Sequence, residues 1–156
     1  MSKVTQNLSD HSSDNSSSLQ PIIIIGVLFF MFGFITWLNG ALIPFLQLVC
    51  QLGEFQALLI AFSFYIAYVV MALPMARVLA WSGYKNAMSI GLGLIALGCA
   101  LFIPAAYSQQ FGVFLLAQFV VGSGLTLLQT ASNPYLVRVG PEHSAAARIS
   151  LMGILN

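Results

Sequence analysis

The sequence predicts an all-α integral membrane protein, and three observations carry that prediction. The first is composition: 59% of the 156 residues are hydrophobic and 6% are charged, against about 25% charged in a water-soluble domain. Mean hydropathy is +0.93, and five basic plus four acidic residues are too few to cover a water-facing surface. The second is the spacing of charge. None falls between Asp14 and Glu54, between Glu54 and Arg77, or between Lys85 and Arg138. A membrane-spanning helix uses about 20 apolar residues at about 1.5 Å each, so the last gap holds two spans and the others one apiece. The third is punctuation: Ser108-Gln109-Gln110-Phe111-Gly112 divides the longest gap, and Gly140-Pro141-Glu142 ends the run that follows it.

Taken in order, residues 1–20 are polar and Ser-rich (Ser12, Ser13, Ser16, Ser17, Ser18). They bury too little apolar surface to offset their ordering entropy, which predicts a disordered cytoplasmic tail. A secretory leader does not fit, because the next apolar stretch is far longer than a signal core and ends in no small-residue cleavage site. The transmembrane region covers residues 21–156. Its first run, 21–52, opens at Pro21, a residue tolerated at a helix start because its missing N–H would be unpaired there. Gly26, Gly33 and Gly40 recur at seven-residue spacing and predict a smooth strip for close helix packing. The second run is 55–79. The third, 87–107, carries small residues at helical spacing (Ser89 with Gly93, Ala96 with Ala100). The fourth is 113–139. A fifth, 144–156, is too short to span, so four full spans and an incomplete fifth are expected, as in a fragment of a longer chain.

Orientation follows from the basic residues. Arg77 and Lys85 flank the second turn and Arg138 and Arg148 the fourth, while the alternate turns hold no Lys or Arg. Basic residues favour the cytoplasmic side, which predicts a multi-pass protein of the inner (cytoplasmic) membrane with its N-terminus in the cytoplasm. A net charge of +1 carries no nucleic-acid signal. Cys50 and Cys99 lie in apolar surroundings and are expected as packing residues. His11 and His143 fall in the tail and a turn, away from any relay or ligand set.

Polarity inside the membrane is costly, so an intramembrane amide must face protein or water. Asn39, Gln129 and Asn133 are the informative cases. Gln118, Gly122, Thr126, Gln129 and Asn133 step by three or four and share one stripe of the fourth helix. Amides both donate and accept, which suits the hydroxyls of a neutral polyol; the competing assignment is a structural bridge between helices. Two segments match: Leu38-Asn39-Gly40-Ala41-Leu42-Ile43-Pro44-Phe45-Leu46 and Leu128-Gln129-Thr130-Ala131-Ser132-Asn133-Pro134-Tyr135-Leu136. Both read Leu, amide, any residue, Ala, two more, Pro, aromatic, Leu. They lie in the first and fourth helices, which correspond in an inverted three-helix repeat, and paired interrupted segments of this kind point to a transporter's binding site. Pro44 and Pro134 are expected to kink their helices. Tyr65 and Tyr68, three apart in the second helix, are candidate stackers for the apolar face of a sugar ring. No Asp or Glu lies within helices one to four. There is no His/Cys/Asp cluster for a metal, no nucleophile beside a base and no phosphate-cradling loop, so neither an enzyme nor a bound cofactor or metal is expected.

The stretch Leu127-Leu128-Gln129-Thr130-Ala131-Ser132-Asn133-Pro134-Tyr135, with Val139-Gly140-Pro141-Glu142 and Ala147-Arg148-Ile149-Ser150, resembles the fucose/galactose/glucose transporter family of the major facilitator superfamily. Trp37-Leu38-Asn39-Gly40-Ala41-Leu42-Ile43-Pro44 and Gly83-Tyr84-Lys85-Asn86 are similar to it as well, and the glucose/galactose branch fits best. The resemblance implies a twelve-helix fold of which this chain is the N-terminal part. It also implies secondary active transport of a hexose by alternating access, coupled to a proton or sodium ion. N-acetylglucosamine, another neutral solute on the same fold, or a truncated and inactive product are the alternatives. A drug or organic acid fits less well, since an anionic solute would want a cavity Arg and helices one to four hold none. Fucose-transporting members carry acidic residues where this chain has Gly40 and Gln129, so proton coupling through those positions is not expected. The superfamily's usual Gly, Asp and Arg after helix two are replaced by Ala76, Ala80 and Trp81, which removes the Asp of its cytoplasmic latch.

Overall fold

The computed structural model describes residues 2–138 and 145–155; the predicted Gly140-Pro141-Glu142 turn and His143 lie outside them. Every described element is helical: α1 (Ser2–Cys50), α2 (Glu54–Ser108), α3 (Phe111–Arg138) and α4 (Ala145–Leu155). Three of them are long and apolar enough to cross a membrane. Two boundaries differ from the sequence expectation.

The Ser-rich segment expected to be disordered over 1–20 is continuous with α1 from Ser2. Each residue added to an existing helix gains a backbone hydrogen bond without the cost of a new nucleus. The second and third expected runs are joined in one element, α2, of 55 residues. At about 1.5 Å per residue that is roughly 80 Å, well over twice the ~30 Å hydrocarbon core. Gly83 resolves the excess. Its φ of 75° and ψ of 168° are non-helical, a region that only glycine occupies readily, and it divides α2 into arms 54–82 and 84–108. The hydroxyl of Ser82 bonds back to the Val78 carbonyl at 2.7 Å, which finishes the first arm up to the break. A single glycine therefore replaces the loop expected over 80–86.

The start of α2 is set locally. The Gly53 N–H donates to Gln56 Oε1 at 3.1 Å, and Glu54 stands in the first turn, where a negative charge complements the helix dipole. At the other end Gln109 takes the left-handed conformation (φ 49°, ψ 24°) that terminates the second arm.

The chain divides into two compact units, through both of which α1 and α3 pass. The larger unit, residues 35–132, is organised around α3, whose residues 121–128 are all buried. Near one end Leu46, Ile60, Ala105 and Phe114 form one apolar cluster, and near the other Met75, Ala87, Leu127 and Ala131 form a second. Residue 60 thus meets 105 while 75 meets 87, so the two arms of α2 run antiparallel with α3 against both. Glycines make the approach close. A Cβ on Gly122 would stand 2.6 Å from the Phe64 carbonyl oxygen of the first arm. One on Gly124 would stand 2.8 Å from the Gly91 oxygen of the second, and one on Gly98 would stand 2.9 Å from the Val121 nitrogen. Ser63 of the first arm adds a hydroxyl bond of 2.8 Å to the Leu115 carbonyl.

These contacts correct one packing expectation and part of another, for within the seven-residue strip Gly26 is buried and Gly40 is not. A Cβ on Gly40, or on Gly93, would meet nothing within 4 Å, and Ser89, Ala96 and Ala100 are exposed. The packed face of the second arm runs instead through Ala87, Gly91, Ile95, Gly98 and Ala105. Spacing identified helical faces of small residues but could not tell which one meets a neighbour.

The smaller unit holds residues 2–34, 133–138 and 145–155. Ile25, Phe29, Phe32 and Met152 are buried there, with the rings of Phe29 and Phe32 5.5 Å apart. Arg148 is buried as well, and its Nη2 donates to the Val137 carbonyl at 3.2 Å. That carbonyl belongs to the last turn of α3, whose final four acceptors have no intrahelical partner, so Arg148 completes the end of that helix.

Candidate functional site

In an apolar bundle the functional candidates are the side chains whose polarity the fold must accommodate. Most hydroxyls on α3 are satisfied locally. Ser123 donates to the Phe119 carbonyl, Thr126 to Gly122 and Thr130 to Thr126, each at 2.7 Å. Such bonds to the preceding turn use the only donor each hydroxyl has. Thr126 therefore presents no donor, although it shares the polar stripe.

The amides behave differently. Gln118 is 1% exposed, and its Nε2 donates to Oδ1 of Asn39 on α1. Its Oε1 is buried with no hydrogen-bond partner. One turn back along α1, Thr36 is hydrogen-bonded to Tyr68 of the first arm. A single face of α1 is thus tied by polar contacts to two other helical segments, through residues three apart. Around Asn39 and Gln118 opens a cavity of about 440 Å³ whose other walls include Leu38, Phe45, Cys99 and Phe102. Its size lies in the ~300–1,000 Å³ range of small-molecule sites. Its lining is apolar apart from the amide pair and the Cys99 thiol, and Cys99, expected as a packed residue, is exposed there.

The amide that meets Asn39 is therefore Gln118, and not Gln129, which lies eleven residues or about 16 Å farther along α3. Gln129 is half-buried, and Asn133, one turn beyond it, is exposed. Neither lines the cavity. Tyr68 is half-buried with its oxygen hydrogen-bonded to Thr36, whereas Tyr65 is 61% exposed. Both tyrosine rings sit near the buried Phe64, with centroids 5.4 and 5.5 Å away. The aromatic walls of the cavity are Phe45 and Phe102. Pro44 and Pro134 lie inside uninterrupted helix in α1 and α3. Gln118 is what sequence reasoning missed: it stood on the polar stripe, but stripe membership does not say which residue another helix reaches.

Comparison with known proteins gives these features a family. The model of the Major Facilitator Superfamily matches residues 13–156. A glucose/galactose transporter of Brucella abortus (strain 9-941) is 46% identical over 130 residues, covering 83% of this chain and 32% of that protein. The L-fucose-proton symporter of Escherichia coli K12 is 35% identical over 145 residues, covering 93% of this chain and 33% of its own length. The crystal structure of the E. coli fucose:proton symporter superposes with a TM-score of 0.76 over 89% of this chain and 33% of that one. The chain spans about a third of the length of the relatives it matches. It is a multi-pass membrane protein belonging to the Major Facilitator Superfamily, and it is similar there to glucose/galactose transporters and fucose–proton symporters.

Proposed function

We propose that the whole protein carries out secondary active transport of a neutral hexose of the glucose/galactose type by alternating access. The observation that carries this proposal is the 46% identity to a glucose/galactose transporter across 83% of the chain. The polar inventory supports it. Amides and hydroxyls are the polar groups of the spans, with no carboxylate or guanidinium between Glu54 and Arg77 or between Lys85 and Arg138. Such groups match the hydroxyls of an uncharged sugar, since an amide can donate to one and accept from another. They favour transport over catalysis, which would need a nucleophile or a proton-transfer pair.

In this assignment Gln129 and Asn133, one turn apart on α3, contact the sugar together, with Tyr65 and Tyr68 as aromatic neighbours. Asn39, held by Gln118 about 16 Å back along α3, contacts it at a separate point of its path. Asn39 already uses its Oδ1 to accept from Gln118, so its Nδ2 is the atom offered to a sugar oxygen and Gln118 holds it in place. Pro44 and Pro134 are the points at which α1 and α3 would flex during rocking. Coupling is to a cation, proton or sodium, taken up by groups other than Gly40 and Gln129. The N-terminus and the Gly83 turn lie on the cytoplasmic side of the inner membrane, because Arg77 and Lys85 flank that turn.

The test is hexose uptake by the complete protein in cells lacking their own hexose carriers. Gln129→Ala and Asn133→Ala are each expected to reduce uptake at least tenfold, the loss of about 1.4 kcal/mol that one good hydrogen bond represents. Unchanged uptake in both variants would refute the site. Accumulation that survives collapse of both the proton and sodium gradients would refute coupling.

A further inference from the structure

We infer that the Gly83 turn is a docking site for the headgroup of an anionic phospholipid, held by Arg77 and Lys85 with Trp81 as its interfacial anchor. Arg77 and Lys85 are the only charged residues between Glu54 and Arg138. Both are exposed, and among the described residues neither has an anionic partner. They stand on either side of the point where the chain reverses, since Met75 and Ala87 share one cluster across the two arms. Trp81 sits between them at 90% exposure, one turn after Arg77 and therefore on its face of the helix. An indole next to a pair of basic side chains is the composition of a membrane–water interface: the ring prefers headgroup depth and the cations face lipid phosphate. Gly83 contributes shape. Its positive φ breaks the helix between Trp81 and Lys85, and a Cβ there would meet nothing within 4 Å, so the turn is open to its surroundings. The sequence holds no acidic residue between Glu54 and Arg77 or between Lys85 and Arg138, so the two arms that form the turn add no negative charge beside it.

The inference rests on the proposed orientation only for its choice of leaflet. It is tested in the full-length protein carrying Trp37→Phe, which leaves Trp81 as the only tryptophan of this chain; tryptophans elsewhere in the full-length protein are likewise replaced by Phe. Vesicles contain equal phosphatidylglycerol and phosphatidylcholine, with one or the other brominated in its acyl chains, and quenching of Trp81 reports which lipid is its neighbour. Brominated phosphatidylglycerol is expected to quench more strongly. Each basic residue is expected to contribute about a fivefold preference, so Arg77→Ala/Lys85→Ala should lower it about 25-fold, while Lys85→Arg keeps it. Raising salt to 1 M, where the screening length is about 3 Å, should weaken the preference of the unsubstituted turn. Equal quenching by the two lipids before substitution, or a preference that persists in the double variant, would overturn the inference. The vesicles have the same lipids in both leaflets, so this result does not depend on orientation. Orientation is read separately, by labelling Asn86→Cys in a cysteine-free background with an impermeant maleimide. Labelling from outside intact cells would overturn the cytoplasmic placement alone.

Discussion

Replacing Gly124 with alanine adds one carbon at the closest approach of α3 to the second arm of α2. That carbon would stand 2.8 Å from the Gly91 oxygen, 2.8 Å from Ile95 Cγ1 and 2.9 Å from the Ile95 nitrogen. Two of the three are backbone atoms, which cannot turn aside as a side chain can. Restoring an ordinary contact near 3.4 Å requires the helices to part by about 0.6 Å, and overpacking of this kind costs about 1–3 kcal/mol. The rigid neighbours place Gly124 at the upper end. Alanine is also the better helix former by about 1 kcal/mol, so the net loss is about 2 kcal/mol. At about 2–4 °C per kcal/mol for a chain of this size, the melting temperature in detergent should fall by about 4–8 °C. Gly93→Ala is the internal control: its Cβ would meet nothing within 4 Å, only the propensity gain applies, and the melting temperature should rise. If Gly124→Ala is as stable as Gly93→Ala, the close packing of α3 on α2 is refuted.

Other consequences follow from single residues. Gly83→Ala should destabilise by about 1–3 kcal/mol through backbone strain alone, visible as a lower melting temperature, since there is ample space for the methyl group. Asn39→Leu removes the acceptor of a buried amide and should cost about 1–3 kcal/mol. Asn39→Leu/Gln118→Leu should recover most of that loss, and a double-mutant cycle by thermal unfolding would read the coupling, which for interhelical bonds in membranes is about 0.6–1.7 kcal/mol. Arg148→Ala removes a donor from the last turn of α3, and faster hydrogen exchange near Val137 is the expected sign.

The architecture was legible in the sequence because charge is so scarce. The gaps bounded by Glu54, Arg77, Lys85 and Arg138 located the helices, and the break at Ser108–Gly112 agrees with an α2 that ends at Ser108 and an α3 that begins at Phe111. The one-residue break at Gly83, in place of a loop over 80–86, was not legible. A lone glycine such as Gly83 is compatible with helix, loop or turn until the neighbouring arms fix its φ. Packing faces were read only by half. Gly122 and Gly124, two residues apart, face different neighbours, whereas Gly40 and Gly93 fit the same small-residue pattern and meet nothing. At the site, helical periodicity placed Gln118 and Gln129 on one stripe. Which of the two reaches Asn39 depends on the axial offset between α1 and α3, and offsets between helices distant in sequence leave no periodic trace.

The most direct test of sugar transport is counterflow in vesicles containing the complete purified protein and loaded with unlabelled galactose or glucose. External labelled hexose should accumulate transiently without any imposed ion gradient and should fail to do so with Gln129→Ala. Absence of hexose counterflow, in vesicles where another solute does exchange through the same protein, would contradict the account.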